Sequence, residues 1–133
     1  MILIIGGAYQ GKLDYAKKEY DIKENDVFMC SAGKSVEPGV HPVIDFSKKC
    51  INGIQEFTYA CVQNGIEPLD YFLAHEPEWK DSILICEDIF CGVVPLGAEM
   101  REWRQATGRL CKHLSEEAES VSRIFCGLEQ KLK

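Results

Sequence analysis

The chain has 133 residues, of which 46% are hydrophobic and 27% charged, with a formal net charge of −6. That length supports one domain with one core, residues 1–133, and the ordinary composition excludes a disordered chain. The acidic balance and scattered lysines and arginines exclude a basic track for nucleic acid, and no apolar run approaches the ~20 residues of a membrane-spanning helix.

Ile2–Ile5 is apolar throughout, as a strand buried on both faces of a parallel sheet requires. No basic region precedes it and a structured motif follows at once, so it is not expected to be a signal peptide. A glycine-rich loop comes next, then a helix from Lys12 to about Tyr20. Asp26–Cys30 reads as a second short strand and Ser31–Val40, with Gly33, Pro38 and Gly39, as a loop. His41–Phe46 is expected to be a third strand ending on the Asp45 carboxylate.

Ser47 then appears as the cap of a helix whose apolar positions Cys50, Ile51, Ile54, Phe57, Cys61 and Val62 recur at three and four, with Gly65 ending it. Pro68 opens a shorter helix to about Ala74. Ser82–Asp88 is the strongest strand after the first, apolar until it stops on Glu87 and Asp88. Ala98–Ala118 places Met100, Trp103, Thr107, Leu110 and Leu114 on one face of a long amphipathic helix. Ser120–Cys126 and Leu128–Leu132 close the chain as a strand pair around Gly127. Alternating strands and helices with continuous apolar strands predict an α/β fold of three layers with a mainly parallel sheet.

The seven cysteines are odd in number and contain no C-x-x-C pair. Most sit on apolar stripes, where a thiol acts as a small hydrophobe, so they predict free thiols and a reducing, cytoplasmic setting. His41, His75 and His113 show no metal-ligand spacing.

Chemistry concentrates in Gly6-Gly7-Ala8-Tyr9-Gln10-Gly11-Lys12, which satisfies G-x-x-x-x-G-K between a strand and a helix. In that setting glycines let backbone N–H groups turn around phosphate oxygens, while the helix start and Lys12 add positive potential. The next position, Leu13, stands where a hydroxyl would ordinarily ligate Mg²⁺. Ligands of parallel sheets lie beyond the carboxyl ends of the strands, so Asp45, Glu87 and Asp88 are the acids expected at a metal or a reacting hydroxyl.

Cys91-Gly-Val-Val-Pro95 follows the acidic strand end, and Arg101-x-Trp103-Arg104 with Gly108-Arg109 follows that. Together with Gly6–Leu13, this order resembles the bifunctional adenosylcobinamide kinase/adenosylcobinamide-phosphate guanylyltransferase family of cobalamin synthesis. The resemblance covers about 13 residues at the start and 45 at the end. It implies a P-loop nucleotide-binding fold, ATP or GTP with Mg²⁺, a corrinoid acceptor, and assembly as a homo-oligomer. Residues 6–13 would hold the phosphates, with Lys12, Asp45 and Asp88 acting in catalysis and Arg101 or Arg104 offsetting developing charge. The family's R-I-x-x-H segment, whose histidine accepts the guanylyl group, has no counterpart here. Two functions follow: a cobinamide-kinase-like phosphotransferase, or a nucleotide-binding relative without catalysis.

Overall fold

A computed structural model describes residues 1–31 and 41–133. The loop expected over Ser31–Val40 therefore lies, apart from Ser31, outside the described residues. The described chain is an α/β fold around a six-stranded sheet in the order β2-β3-β4-β1-β5-β6. Its strands are β1 (Ile2–Gly6), β2 (Val27–Met29), β3 (Cys50–Asn52), β4 (Ile83–Glu87), β5 (Ser120–Phe125) and β6 (Leu128–Lys131). All neighbours are parallel except the terminal β5–β6 pair.

The sheet divides two apolar clusters. On one face α1 (Lys12–Glu19) packs through Ala16 and Leu13 over Ile4, Ile85, Cys50 and Ile124. On the other, α2 (Ile54–Gln63), α3 (Pro68–Ala74) and α5 (Ala98–Glu117) cover Leu3, Ile51, Leu84 and Val121. Residues alternate between the clusters along β1, which explains its unbroken apolar run: with helices on both sides neither face meets water. α2 and α5 are joined by a buried polar seam in which the Thr58 and Thr107 hydroxyls lie 2.6 Å apart. Trp103 Nε1–H donates to both Gln55 O and Thr58 Oγ1. A short helix absent from the sequence reading, α4 (Glu76–Trp79), buries Trp79 completely, and its indole N–H donates to Phe72 O at 2.8 Å.

The structure corrects the middle of the chain. His41–Phe46 alternates as a strand does, with Val43 and Asp45 outward and Ile44 and Phe46 buried, but it pairs with no strand among the described residues. Ile44 N–H donates instead to the Tyr71 hydroxyl, and the buried Ile44 and Phe46 side chains hold the segment against the core. The third strand is Cys50–Asn52, inside the stretch expected to be helical from Ser47. Cys50 faces one cluster and Ile51 the other, as in any strand of a covered sheet, and Gly53 at φ 85 turns the chain into α2. The Ser47 hydroxyl donates to Asp45 and caps no helix.

All seven cysteines are free, and Cys50, Cys61, Cys86 and Cys111 are buried. Burial pushes the Cys50 thiol up to about 11 and the Cys61 thiol to about 12, which suppresses the reactive thiolate. Native protein treated with iodoacetamide near neutral pH is therefore expected to react rapidly at exposed Cys91 and Cys126, while those four react only after unfolding; mass spectrometry of the labelled peptides reads the difference.

Candidate functional site

The chain leaves β1 through α1 on one face and leaves β4 toward α5 on the other, although β1 and β4 are neighbours. Divergent exits of this kind open a crevice at the carboxyl end of the sheet, where α/β proteins bind ligands. In the β1–β4 register Gly6 faces Glu87 directly. The glycine loop and the acidic strand end thus stand side by side.

Backbone geometry explains the glycines. Gly6 has φ 153, and a Cβ there would overlap the Ile124 carbonyl oxygen on β5. Gly11, at φ 84, turns the loop into α1, and its carbonyl accepts from Tyr15 N–H as the first bond of the helix. Tyr9 also has positive φ, at 58, and its side chain is wholly exposed. Gln10 is a structural clip: its Oε1 accepts from Cys126 N–H at 2.7 Å and its backbone carbonyl from Gly127 N–H at 3.0 Å. These bonds tie the loop to the β5–β6 turn, where Cys126 and Gly127 both have positive φ.

Lys12 folds over the loop, its Nζ donating to Gly7 O at 2.6 Å. An ammonium bound to one carbonyl in an open cleft can exchange that partner for an anion. The cleft, about 210 Å³, is lined by Tyr9–Asp14 on one side and by Asn52, Gln55 and Glu87 on the other. Gln55 holds the acid in place: Oε1 accepts from the Glu87 backbone N–H at 3.0 Å, and Nε2 donates to Glu87 Oε2 at 3.3 Å. Glu87 Oε1 keeps its acceptor capacity for the cleft.

Asp88 borders the loop differently. Its backbone N–H donates to Gly6 O at 3.1 Å and its carboxylate pairs with Arg123 at 3.4 Å. Asp45 does not join this group. It sits in the turn leading into β3, at the amino end of the strand, where its carboxylate accepts from Ser47 N–H and Oγ–H. Those bonds favour the charged carboxylate and hold its pKa below the usual carboxylate value. The strand it was expected to end does not form among the described residues, and Asp45 does not line the Lys12 cleft.

Arg101 and Arg104 are also placed elsewhere. Arg104 donates to Phe90 O at 2.9 Å, Gly92 O at 3.1 Å and Val93 O, while Arg101 donates to Pro95 O and Leu96 O. Both clamp the 90–97 segment, and they line a separate groove with Phe90 and Val94. Neither lines the Lys12 cleft. In exchange the structure supplies Asn52 and Gln55, which sequence reasoning missed because β3 was hidden within an expected helix.

Among the described residues, no three His, Cys, Asp or Glu side chains converge as a metal cage. The arrangement suits a cation that completes its shell from ligand phosphates and water, as Mg²⁺ ordinarily does with one or two protein carboxylates. Glu87 is the acid placed for that, while Leu13 supplies no oxygen. No helix among the described residues is long and apolar enough to cross a membrane. Comparison of the chain with family models and with curated proteins finds no match to either.

Proposed function

We propose that this chain is a P-loop nucleotide-binding protein that holds the phosphates of ATP or GTP in its glycine loop, in the manner of the cobinamide kinases its motifs resemble. The observation that carries the reading is Lys12 over a glycine turn at the start of α1, with Glu87 held opposite by Gln55. The cleft is smaller than the roughly 300–1,000 Å³ of pockets that enclose a whole ligand, which suits phosphates with the nucleoside left outside.

On binding, Lys12 Nζ exchanges Gly7 O for phosphate oxygen, and the first amides of α1 add their partial positive charge. Glu87 faces the phosphates across the cleft. There it would either accept the proton of an attacking hydroxyl or help to hold Mg²⁺, and Gln55 fixes its carboxylate for either role. Mg²⁺ would neutralise charge on the transferring group. The acceptor implied by the resemblance is a corrinoid hydroxyl.

A second reading, nucleotide binding without turnover, is favoured by two residues. Leu13 packs toward the α1-side core in place of a metal-binding hydroxyl, and β3 ends on the neutral amide of Asn52. Incubation with ATP or GTP, Mg²⁺ and cobinamide separates the readings. Phosphorylated cobinamide supports the kinase; bound nucleotide without product supports the binding protein. Leu13→Ser is expected to strengthen Mg²⁺-dependent nucleotide binding about tenfold by supplying the missing oxygen, measured by calorimetry with and without Mg²⁺.

A further inference from the structure

The sheet ends in β6, whose four residues are all exposed and whose outer side is paired with no described segment. Unprotected edges of this kind are templates for another strand. The inner side follows from the hairpin register, Phe125 with Leu128, Ile124 with Glu129, Arg123 with Gln130 and Ser122 with Lys131. Leu132 N–H donates to Val121 O at 2.8 Å. By the alternation of antiparallel ladders, the backbone groups of Leu128 and Gln130 also face β5, and those of Glu129 and Lys131 face outward.

The sequence Leu128-Glu-Gln-Lys-Leu132 is complementary to its own reverse. If two copies meet antiparallel with Gln130 opposite Gln130, Glu129 of each faces Lys131 of the other and Leu128 faces Leu132. The outward backbone groups belong to Glu129 and Lys131, the residues this register makes hydrogen-bonded partners. A shift by one residue would break both the backbone pairing and the charge pairing. On the other face of the hairpin, Phe125, Leu128 and Leu132 are 63%, 73% and 53% exposed, and the same register brings the leucines together across the junction. Opposite charges and apolar pairs directly across an antiparallel ladder each stabilise it.

We propose that β6 is the dimerisation edge of this protein, joining two copies about a two-fold axis at Gln130 so that their sheets become one. The occupant of the edge is a second copy of the chain, since hydrogen-bond phase, charge and apolar positions all match that strand. A two-fold interface that uses the same patch twice is the commonest closed assembly. This inference does not depend on nucleotide binding.

Light scattering coupled to size exclusion is expected to give twice the monomer mass for the native chain. Lys131→Glu and Glu129→Lys should each be monomeric, since each sets like charges opposite one another. An equimolar mixture of the two should recover the dimer, because every pair is then opposite in charge. Far-UV circular dichroism of each variant checks that the fold survives. In a Cys91→Ser, Cys126→Ser background, Gln130→Cys should cross-link under mild oxidation and Glu129→Cys should not, because only residue 130 meets its own copy. A monomeric native protein, a dimer indifferent to Lys131→Glu, or a dimer in which Gln130→Cys fails to cross-link would each overturn the proposal.

Discussion

Gly6→Ala is expected to destabilise the fold by about 3 kcal/mol or more, lowering the melting temperature by about 10 °C in thermal denaturation. Two effects combine. Gly6 holds φ 153, which an L residue adopts only under strain, and the added methyl would overlap the Ile124 carbonyl oxygen, a backbone atom of the neighbouring strand. Neither β1 nor β5 can move aside cheaply, because both are paired along their lengths and packed on both faces. Gly65→Ala is the comparison. That glycine also has positive φ, at 67, but nothing lies within 4 Å of its missing Cβ, so the loss there should be limited to backbone strain of about 1 kcal/mol. Equal losses at the two positions would show that the contact with β5 is unimportant.

Lys12→Ala should leave the fold intact and weaken nucleotide binding by roughly thirty- to a hundredfold, the equivalent of about 2–3 kcal/mol for charge-assisted bonds to phosphate. Among the described residues the Lys12 ammonium donates to Gly7 O alone, a single bond to a neighbouring loop carbonyl, so little stability rests on it. The two substitutions therefore separate two roles in the loop, its shape at Gly6 and the proposed phosphate binding at Lys12. A Lys12→Ala protein that melts with the native one and retains full affinity would place the nucleotide elsewhere.

The elements that could be read from sequence are those long enough to show a period or a complete burial pattern. β1 and β4 are apolar throughout because helices cover both sheet faces, and α5 repeats its buried side through Ala106, Leu110 and Leu114. The β5–β6 hairpin was marked by Gly127. β3 was hidden because three residues give no period, and Cys50 and Ile51 also fit the spacing of the helix that follows. Gly53, inside that supposed helix, was the available signal for a break.

The misreading had a cost at the site. Placing the third strand at His41–Phe46 put Asp45 at its carboxyl end, whereas the true strand ends on Asn52 with Gln55 the second residue of α2. The glycine loop and Glu87 were legible, since a local motif and a strand end survive errors elsewhere in the chain. Arg101 and Arg104 were legible as a pair but not in their partners. Only the folded path of residues 90–97 reveals that their guanidinium groups grip backbone carbonyls.

The central claim, phosphate binding in the glycine loop, is tested most directly by calorimetric titration of the native chain with ATP and with GTP, followed by the same titration of Lys12→Ala. The account predicts saturable binding of at least one nucleotide, greatly weakened by the substitution. No binding of either nucleotide to the folded native protein would contradict it.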